Sequence, residues 1–269
     1  MKYKLIAADM DGTLVNDESE LTERTKDAII KAVDAGVIFI IATGRAFSKI
    51  QNVIELFDKD MPCIVLNGAA AYMGKSKKLL FEKFLDFDLA TEVFDIGQKK
   101  GLAQIVWTGT RLWINKRCDE TLQYAGFYKD SGDSIVTNLA TIRDEVKGVS
   151  KLLWIDDPAK IKELSVEMRA YFKGRLSCVS SMAHFLEFIG NDAGKGVALA
   201  EIGKLCGIDK SEMIAIGDSQ NDISMLEYAG FGVAVENALD EVKAVCDYVT
   251  LSNNDDGVAM VIEKFVLNQ

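Results

Sequence analysis

The stretch Leu5-Ile6-Ala7-Ala8-Asp9-Met10-Asp11-Gly12-Thr13 constrains this chain more than any other. An apolar run ends in two carboxylates one residue apart, followed by a glycine and a hydroxyl. An apolar run of that length reads as a buried strand, and Gly12 marks the turn that ends it. Side chains alternate along extended backbone, so Asp9 and Asp11 are expected to leave the strand end on the same side. Two buried acids that close repel each other and need a divalent cation, a shared proton, or both. The expectation is a metal-assisted site at the C-terminal end of a central strand.

The rest of the chain supplies the sheet around that strand. Ala28, Ile29, Ala32 and Val33 fall at helical spacing, with Gly36 as a stop. Residues 37–42 are continuously apolar, as in a parallel strand buried on both faces, and end in Thr43-Gly44-Arg45. A second helix is expected over residues 46–57 and a third strand over 63–66, ending in Asn67-Gly68. In open α/β sheets ligands bind at the carboxyl ends of the strands, where Asp9, Thr43 and Asn67 would sit.

The pattern changes over residues 85–189. Two strand-like runs flank Thr108-Gly109-Thr110 as a hairpin, residues 151–155 read as a strand, 157–172 as a helix, and 175–179 and 184–189 as further strands. This is an α+β module with an antiparallel sheet. The first pattern then resumes: Gly194-Lys195-Gly196 opens a helix that stops at Gly207, and a strand over 212–216 ends in Gly217-Asp218-Ser219-Gln220-Asn221-Asp222. Strand-like runs follow at 232–235 and 248–251, and a last helix starts near Asp255-Asp256-Gly257, with either Asp as N-cap. The fold class is α/β: a Rossmann-like parallel-sheet core, 1–84 and 190–269, with an inserted α+β cap, 85–189.

Composition narrows the function. A net charge of -10 argues against non-specific nucleic-acid binding, which needs Lys and Arg on phosphates. It still permits a small anionic ligand held by local positive charge. No window approaches a membrane span, and no signal peptide is read at the N-terminus. The five cysteines are scattered and unpaired in pattern, which fits reduced thiols in a cytoplasmic protein.

Asp218, again at a strand end, would complete a cation site begun by Asp9. Mg²⁺ fits best, because it binds one or two carboxylates plus waters and substrate phosphate. His184 is the single histidine and lies in the inserted module. That removes every Ser-His or Cys-His mechanism except one built on His184, and a carboxylate nucleophile is the remaining economical choice.

Four ordered motifs, Asp9-Met10-Asp11-Gly12-Thr13, Thr43-Gly44-Arg45, Lys195-Gly196 and Gly217-Asp218-Ser219-Gln220-Asn221-Asp222, resemble those of the haloacid dehalogenase superfamily. Asn67-Gly68-Ala69, the large insertion, and Asn253-Asn254-Asp255-Asp256-Gly257-Val258-Ala259 resemble its Cof-type sugar-phosphatase branch, with a C2-type cap. The resemblance implies that Asp9 attacks phosphorus and that Asp11 is acid and then base, a role calling for a pKa raised by burial. It also implies that Mg²⁺ is held by Asp9, the Asp11 carbonyl and Asp218. Thr43 and Lys195, with the amides of Met10 and Gly44, would neutralise phosphoryl oxygens, Asn221 would contact phosphate, and Asp222 would brace Lys195. Met10 and Gly194 depart from the commoner residues without removing a functional group.

Plainer roles stand beside these. Thr43 can be a strand-end cap, Asp222 a first-turn helix carboxylate, Arg45 a loop-stabilising residue, and His184, Trp107, Trp113 and Arg111 packing residues. The implied reaction is Mg²⁺-dependent hydrolysis of a small phosphorylated metabolite, with no nucleic-acid, membrane or obligate protein partner. A phosphomutase would use the same aspartyl-phosphate, and a non-catalytic phospho-acceptor module would also place acids at sheet ends.

Overall fold

The computed structural model describes residues 2–268. In chain order the elements are β1 (Leu5–Ala8), α1 (Glu23–Asp34), β2 (Ile38–Ala42), α2 (Gln51–Ile54), β3 (Pro62–Val65), β4 (Ala70–Met73), β5 (Leu79–Glu82) and α3 (Phe87–Lys99). Next come β6 (Ala103–Thr108), β7 (Arg111–Ile114), α4 (Asp119–Phe127), β8 (Lys151–Ile155), α5 (Pro158–Tyr171), β9 (Ser177–Val179) and β10 (Phe185–Ile189). The chain closes with α6 (Lys195–Cys206), β11 (Met213–Gly217), α7 (Ile223–Tyr228), β12 (Phe231–Ala234), α8 (Asp240–Lys243), β13 (Tyr248–Val249) and α9 (Gly257–Ile262). It divides into two compact units: Met1–Arg45 with Ile50–Phe81 and Lys195–Gln269, and Ala46–Lys49 with Glu82–Gly194.

The first unit is built on a sheet of order β13-β12-β11-β1-β2-β3-β4-β5. From β13 to β3 the pairings are parallel. β1 lies between β11 and β2 with all four of its residues buried, as strands covered on both faces require. α1 shows how local signals and burial agree. The Thr22 side chain accepts the Thr25 N–H as N-cap, Ala28, Ile29 and Ala32 are buried, and Gly36 follows the helix at φ +98°.

Two expectations are corrected here. Residues 46–57 do not form one helix: Phe47–Lys49 is a 3₁₀ turn, and α2 is a single turn after Ile50 at φ -114°. The Lys49 N–H bonds back to the Ala46 carbonyl as a 3₁₀ turn and Ile50 leaves helical φ, so the helical ladder is interrupted there. Beyond β3 the sheet continues through β4, paired antiparallel, to β5, where no strand was expected. Leu66, Asn67 and Gly68 all take positive φ and reverse the chain between β3 and β4. An Asn-Gly pair between apolar runs carries that turn signal.

The second unit has an antiparallel sheet of order β7-β6-β8-β10-β9. Val106, Leu152, Trp154, Leu186 and Phe188 form its apolar core with Phe94 of α3 and Leu164 and Met168 of α5. The register pairs Trp107 with Lys151 and Leu153 with Glu187, which puts these four on the opposite face. There Lys151 Nζ and Glu187 Oε1 form a fully buried ion pair at 2.6 Å.

Candidate active site

Three loops of the first unit converge at the carboxyl end of its sheet. Asp9 directly follows β1, and its N–H donates to the Ile216 carbonyl (2.9 Å), which ties the strand end to β11. Its side chain is buried. Gly12 turns the chain at φ +76°, and a Cβ there would lie 2.9 Å from Asp218 Oδ2. Only a residue without a side chain lets the β1 loop close on the Asp218 carboxylate.

Asp218 follows β11 and is fixed from two sides. Thr13 Oγ1 donates to its Oδ1 (2.8 Å) and Ser219 Oγ to its Oδ2 (2.8 Å). Asp222 braces the same loop, its Oδ2 accepting the N–H groups of Asp218 (3.0 Å) and Ser219 (2.9 Å). Its Oδ1 takes Lys195 Nζ at 2.5 Å. The ammonium also meets Asp9 Oδ1. Lys195 begins α6 and is wholly buried, because α6 packs closely on α7: a Cβ at Gly196 would fall 2.2 Å from the Ser224 carbonyl oxygen.

Asp9, Asp218 and Asp222 each offer a carboxylate oxygen within 4.8 Å of the others. The donor set is all oxygen and suits a hard dication such as Mg²⁺. Asp222 already serves the ammonium and two amides, so Asp9 and Asp218 are the carboxylates with capacity left for a metal. Burial, then the Asp222 carboxylate, pushes the Asp9 pKa well above the carboxylate range despite Lys195. Burial and then Asp222 raise Asp218 in the same direction. For Lys195, burial pulls the pKa down, but Asp222 and Asp9 outweigh it and the ammonium is held charged. The two directions agree physically: one cation serves several carboxylates, so it stays charged while they resist ionising together. A dication would relieve that excess.

Asp11 departs from the expected pair of buried acids. Its side chain is 32% exposed, because the strand ends at Ala8 and Met10 is the residue driven into the core. Arg45 forks onto it, Nε donating to Oδ2 at 2.9 Å and Nη2 to Oδ1. Thr43 is buried, its Oγ1 accepting the Arg45 N–H (3.1 Å). A Cβ on Gly44 would sit 2.7 Å from Asn67 Oδ1, and Asn221 Nδ2 donates to that same oxygen (3.0 Å). Thr13 and Ser219 were not among the expected site residues, and Asn67 was expected at the ligand-binding strand ends without a role assigned to it. A hydroxyl at a strand end and an Asn-Gly turn were the available signals.

The profile of the haloacid dehalogenase-like hydrolases matches residues 6–262. Two Bacillus subtilis relatives, the 5-amino-6-(5-phospho-D-ribitylamino)uracil phosphatases YwtE and YcsE, are each 32% identical. The YwtE match covers 99% of this chain and 99% of the relative, and the YcsE match 98% and 96%. A crystal structure of a haloacid dehalogenase-like hydrolase from Bacteroides thetaiotaomicron is 28% identical, with a TM-score of 0.81 over 97% of this chain and 99% of that one. The chain belongs to the haloacid dehalogenase-like hydrolases. Within that class it is an enzyme of the phosphatase kind. Among the described residues no helix is long and apolar enough to cross a membrane.

Proposed function

We propose that the chain is a Mg²⁺-dependent phosphatase of small phosphate monoesters, sugar and related polyol phosphates foremost, working through an aspartyl-phosphate on Asp9. The observation that carries this reading is the excess of carboxylates, buried Asp9 and Asp222 with half-buried Asp218, around the buried ammonium of Lys195. Asp9, Asp218 and the Asp11 carbonyl would hold the Mg²⁺, which when bound supplies positive charge against carboxylate and phosphoryl oxygens.

Asp9 attacks phosphorus while the bond to the leaving oxygen breaks and Asp11 gives that oxygen a proton. Water then attacks phosphorus, Asp11 takes its proton, and the bond to Asp9 breaks to release phosphate. Arg45 is forked onto both Asp11 oxygens and has to part from them for Asp11 to reach the leaving group. Thr43, Lys195, Asn221 and the amides of Met10 and Gly44 balance the charge spread over the phosphoryl oxygens. Asp222 keeps Lys195 charged and the Asp218 loop in place.

The inserted unit is assigned leaving-group selectivity, and the compound named for the two Bacillus relatives heads the list of substrates to try. A cytoplasmic location suits such a substrate. Purified protein should release phosphate from p-nitrophenyl phosphate with Mg²⁺ and lose this with EDTA or in Asp9→Asn. Turnover that survives both treatments overturns the reading. A panel of sugar phosphates and phosphorylated vitamin precursors then ranks the leaving groups by kcat/KM.

A further inference from the structure

The turn after β3 carries a feature that the proposed chemistry does not use. Leu66, Asn67 and Gly68 take φ of 50°, 57° and 91° in succession, and Asn67 has ψ 32°, in the left-handed region. Asparagine tolerates this conformation better than other side-chain-bearing residues, but glycine adopts it more easily still. Backbone shape alone therefore does not explain the carboxamide at this position.

The carboxamide is buried, 1% exposed, and badly provided for. Its Oδ1 accepts from Asn221 Nδ2 at 3.0 Å, while Asn67 Nδ2 and Asn221 Oδ1 have no partner among the described residues. Turning both amides over together exchanges the atoms and leaves the same deficit. One N–H₂ group and one carbonyl oxygen remain unsatisfied in either orientation. Buried polar groups are normally paired, so such a deficit marks a place where a ligand completes the bonding.

That place adjoins the expected phosphate contacts. The Asn67 N–H donates to the Thr43 carbonyl (3.1 Å) and the Leu66 N–H to the Arg45 carbonyl (3.0 Å), which stitches the turn to the Thr43–Arg45 loop. The carboxamide lies against Gly44, whose missing Cβ is what leaves it room. α6, which begins at Lys195, packs on the same turn.

Resting on the phosphatase reading, we infer that Asn67 is a phosphate-binding residue: its Nδ2, while its Oδ1 stays paired with Asn221, donates to a phosphoryl oxygen, and the unpartnered Asn221 Oδ1 accepts from a water of the filled site. The donor is neutral, so it adds affinity for a phosphate without changing the charge balance around Lys195.

Asn67→Gly tests this, because it keeps the left-handed backbone and removes only the amide. Turnover of p-nitrophenyl phosphate and the inhibition constant of inorganic phosphate are measured beside thermal melts. The expected result is a kcat/KM lower by about 10- to 100-fold, the scale of one hydrogen bond to a charged group, with phosphate inhibition weakened to a similar degree and the melt unchanged or higher. Asn67→Asp, which keeps the size and the turn preference but replaces the donor with a repelling charge, should weaken phosphate inhibition further. Asn67→Gly within twofold of wild type in both constants overturns the inference. If Asn67→Gly does not melt cooperatively, Asn67→Asp decides alone, and unchanged phosphate inhibition there also overturns it. An inactive wild type is a different result, since it defeats the phosphatase reading itself.

Discussion

Among the described residues two lysines are buried, and their surroundings differ in one respect that separates a site from a scaffold. In the second unit Lys151 forms a buried ion pair with the Glu187 carboxylate. Trp107 lies on the same sheet face and donates its indole N–H to Tyr124 Oη (3.2 Å), whose pKa burial pushes up with Glu187 adding to the shift. In the first unit Lys195 meets Asp9 and Asp222, with Asp218 close by. Balanced buried pairs contribute little net stability, because desolvation offsets attraction, but removing one partner is costly. An unbalanced cluster is costly already and persists only where something else arrives to complete it. Burial alone marks neither lysine as functional; the surplus of carboxylates does.

The comparison can be broken most sharply by truncating each lysine. Lys195→Ala should lower kcat/KM on p-nitrophenyl phosphate by about 1,000-fold or more, since it removes a buried cation facing developing charge. Lys151→Ala should instead appear in folding. Leaving Glu187 buried and unpaired should cost about 3–5 kcal/mol, which at roughly 2–4 °C per kcal/mol for a chain of this size is a fall in Tm of about 6–20 °C. The double replacement Lys151→Met with Glu187→Leu should recover most of that loss. A Lys151→Ala protein that melts like wild type would erase the distinction.

A smaller effect of opposite sign is expected at Asp218. Asp218→Asn removes one repelling carboxylate and should raise the Tm of metal-free protein by about 2–4 °C, for a gain of about 1 kcal/mol. The same variant should lose the stabilisation that Mg²⁺ gives wild type. A metal-free Tm below wild type would show that Asp218 supports the loop more than it strains the cluster.

The smallest effect is the pH dependence. Asp9 and Asp218 have folded pKa values raised above the ordinary 3.8. The folded state therefore binds protons more readily than the unfolded one, and their contribution is fully present below about pH 4. It is lost as pH rises through the raised values. Lys195, also raised, contributes stability below its unfolded pKa of about 10 and loses it as pH climbs through the folded value. Urea unfolding of metal-free protein from pH 4 upwards should show the acidic contribution falling, and Mg²⁺ should flatten it. A contribution from these acids that rises with pH would contradict the assignment.

Much of this was legible in the chain because apolar runs, glycines and acids coincide at strand ends. β1, β2, β8 and α5 follow directly from periodicity and capping, as Asp157 shows by accepting the Ala159 N–H. The nearness of Asp9, Lys195 and Asp218 was legible only as four motifs in order, since no local pattern states which strand ends meet. The helix expected over 46–57 is interrupted at Ile50, which leaves helical φ without a glycine or proline to mark the break. Asp256 failed more subtly: at the start of α9 it is left-handed, and its carboxylate takes the hydroxyls of Thr22 (2.5 Å) and Thr25 (3.1 Å) instead of capping its own helix. The exposure of Asp11 was missed because strand alternation was carried past Ala8, where the strand stops.

In the proposed chemistry the carboxylate surplus makes Asp9 a metal-assisted nucleophile. The most direct measurement is acid quenching of wild type during turnover with Mg²⁺, followed by peptide mass spectrometry. Phosphate on the Asp9 peptide, absent without Mg²⁺ and absent in Asp9→Asn, is the predicted result. Steady turnover with Asp9 unmodified, and undiminished in Asp9→Asn, would contradict it.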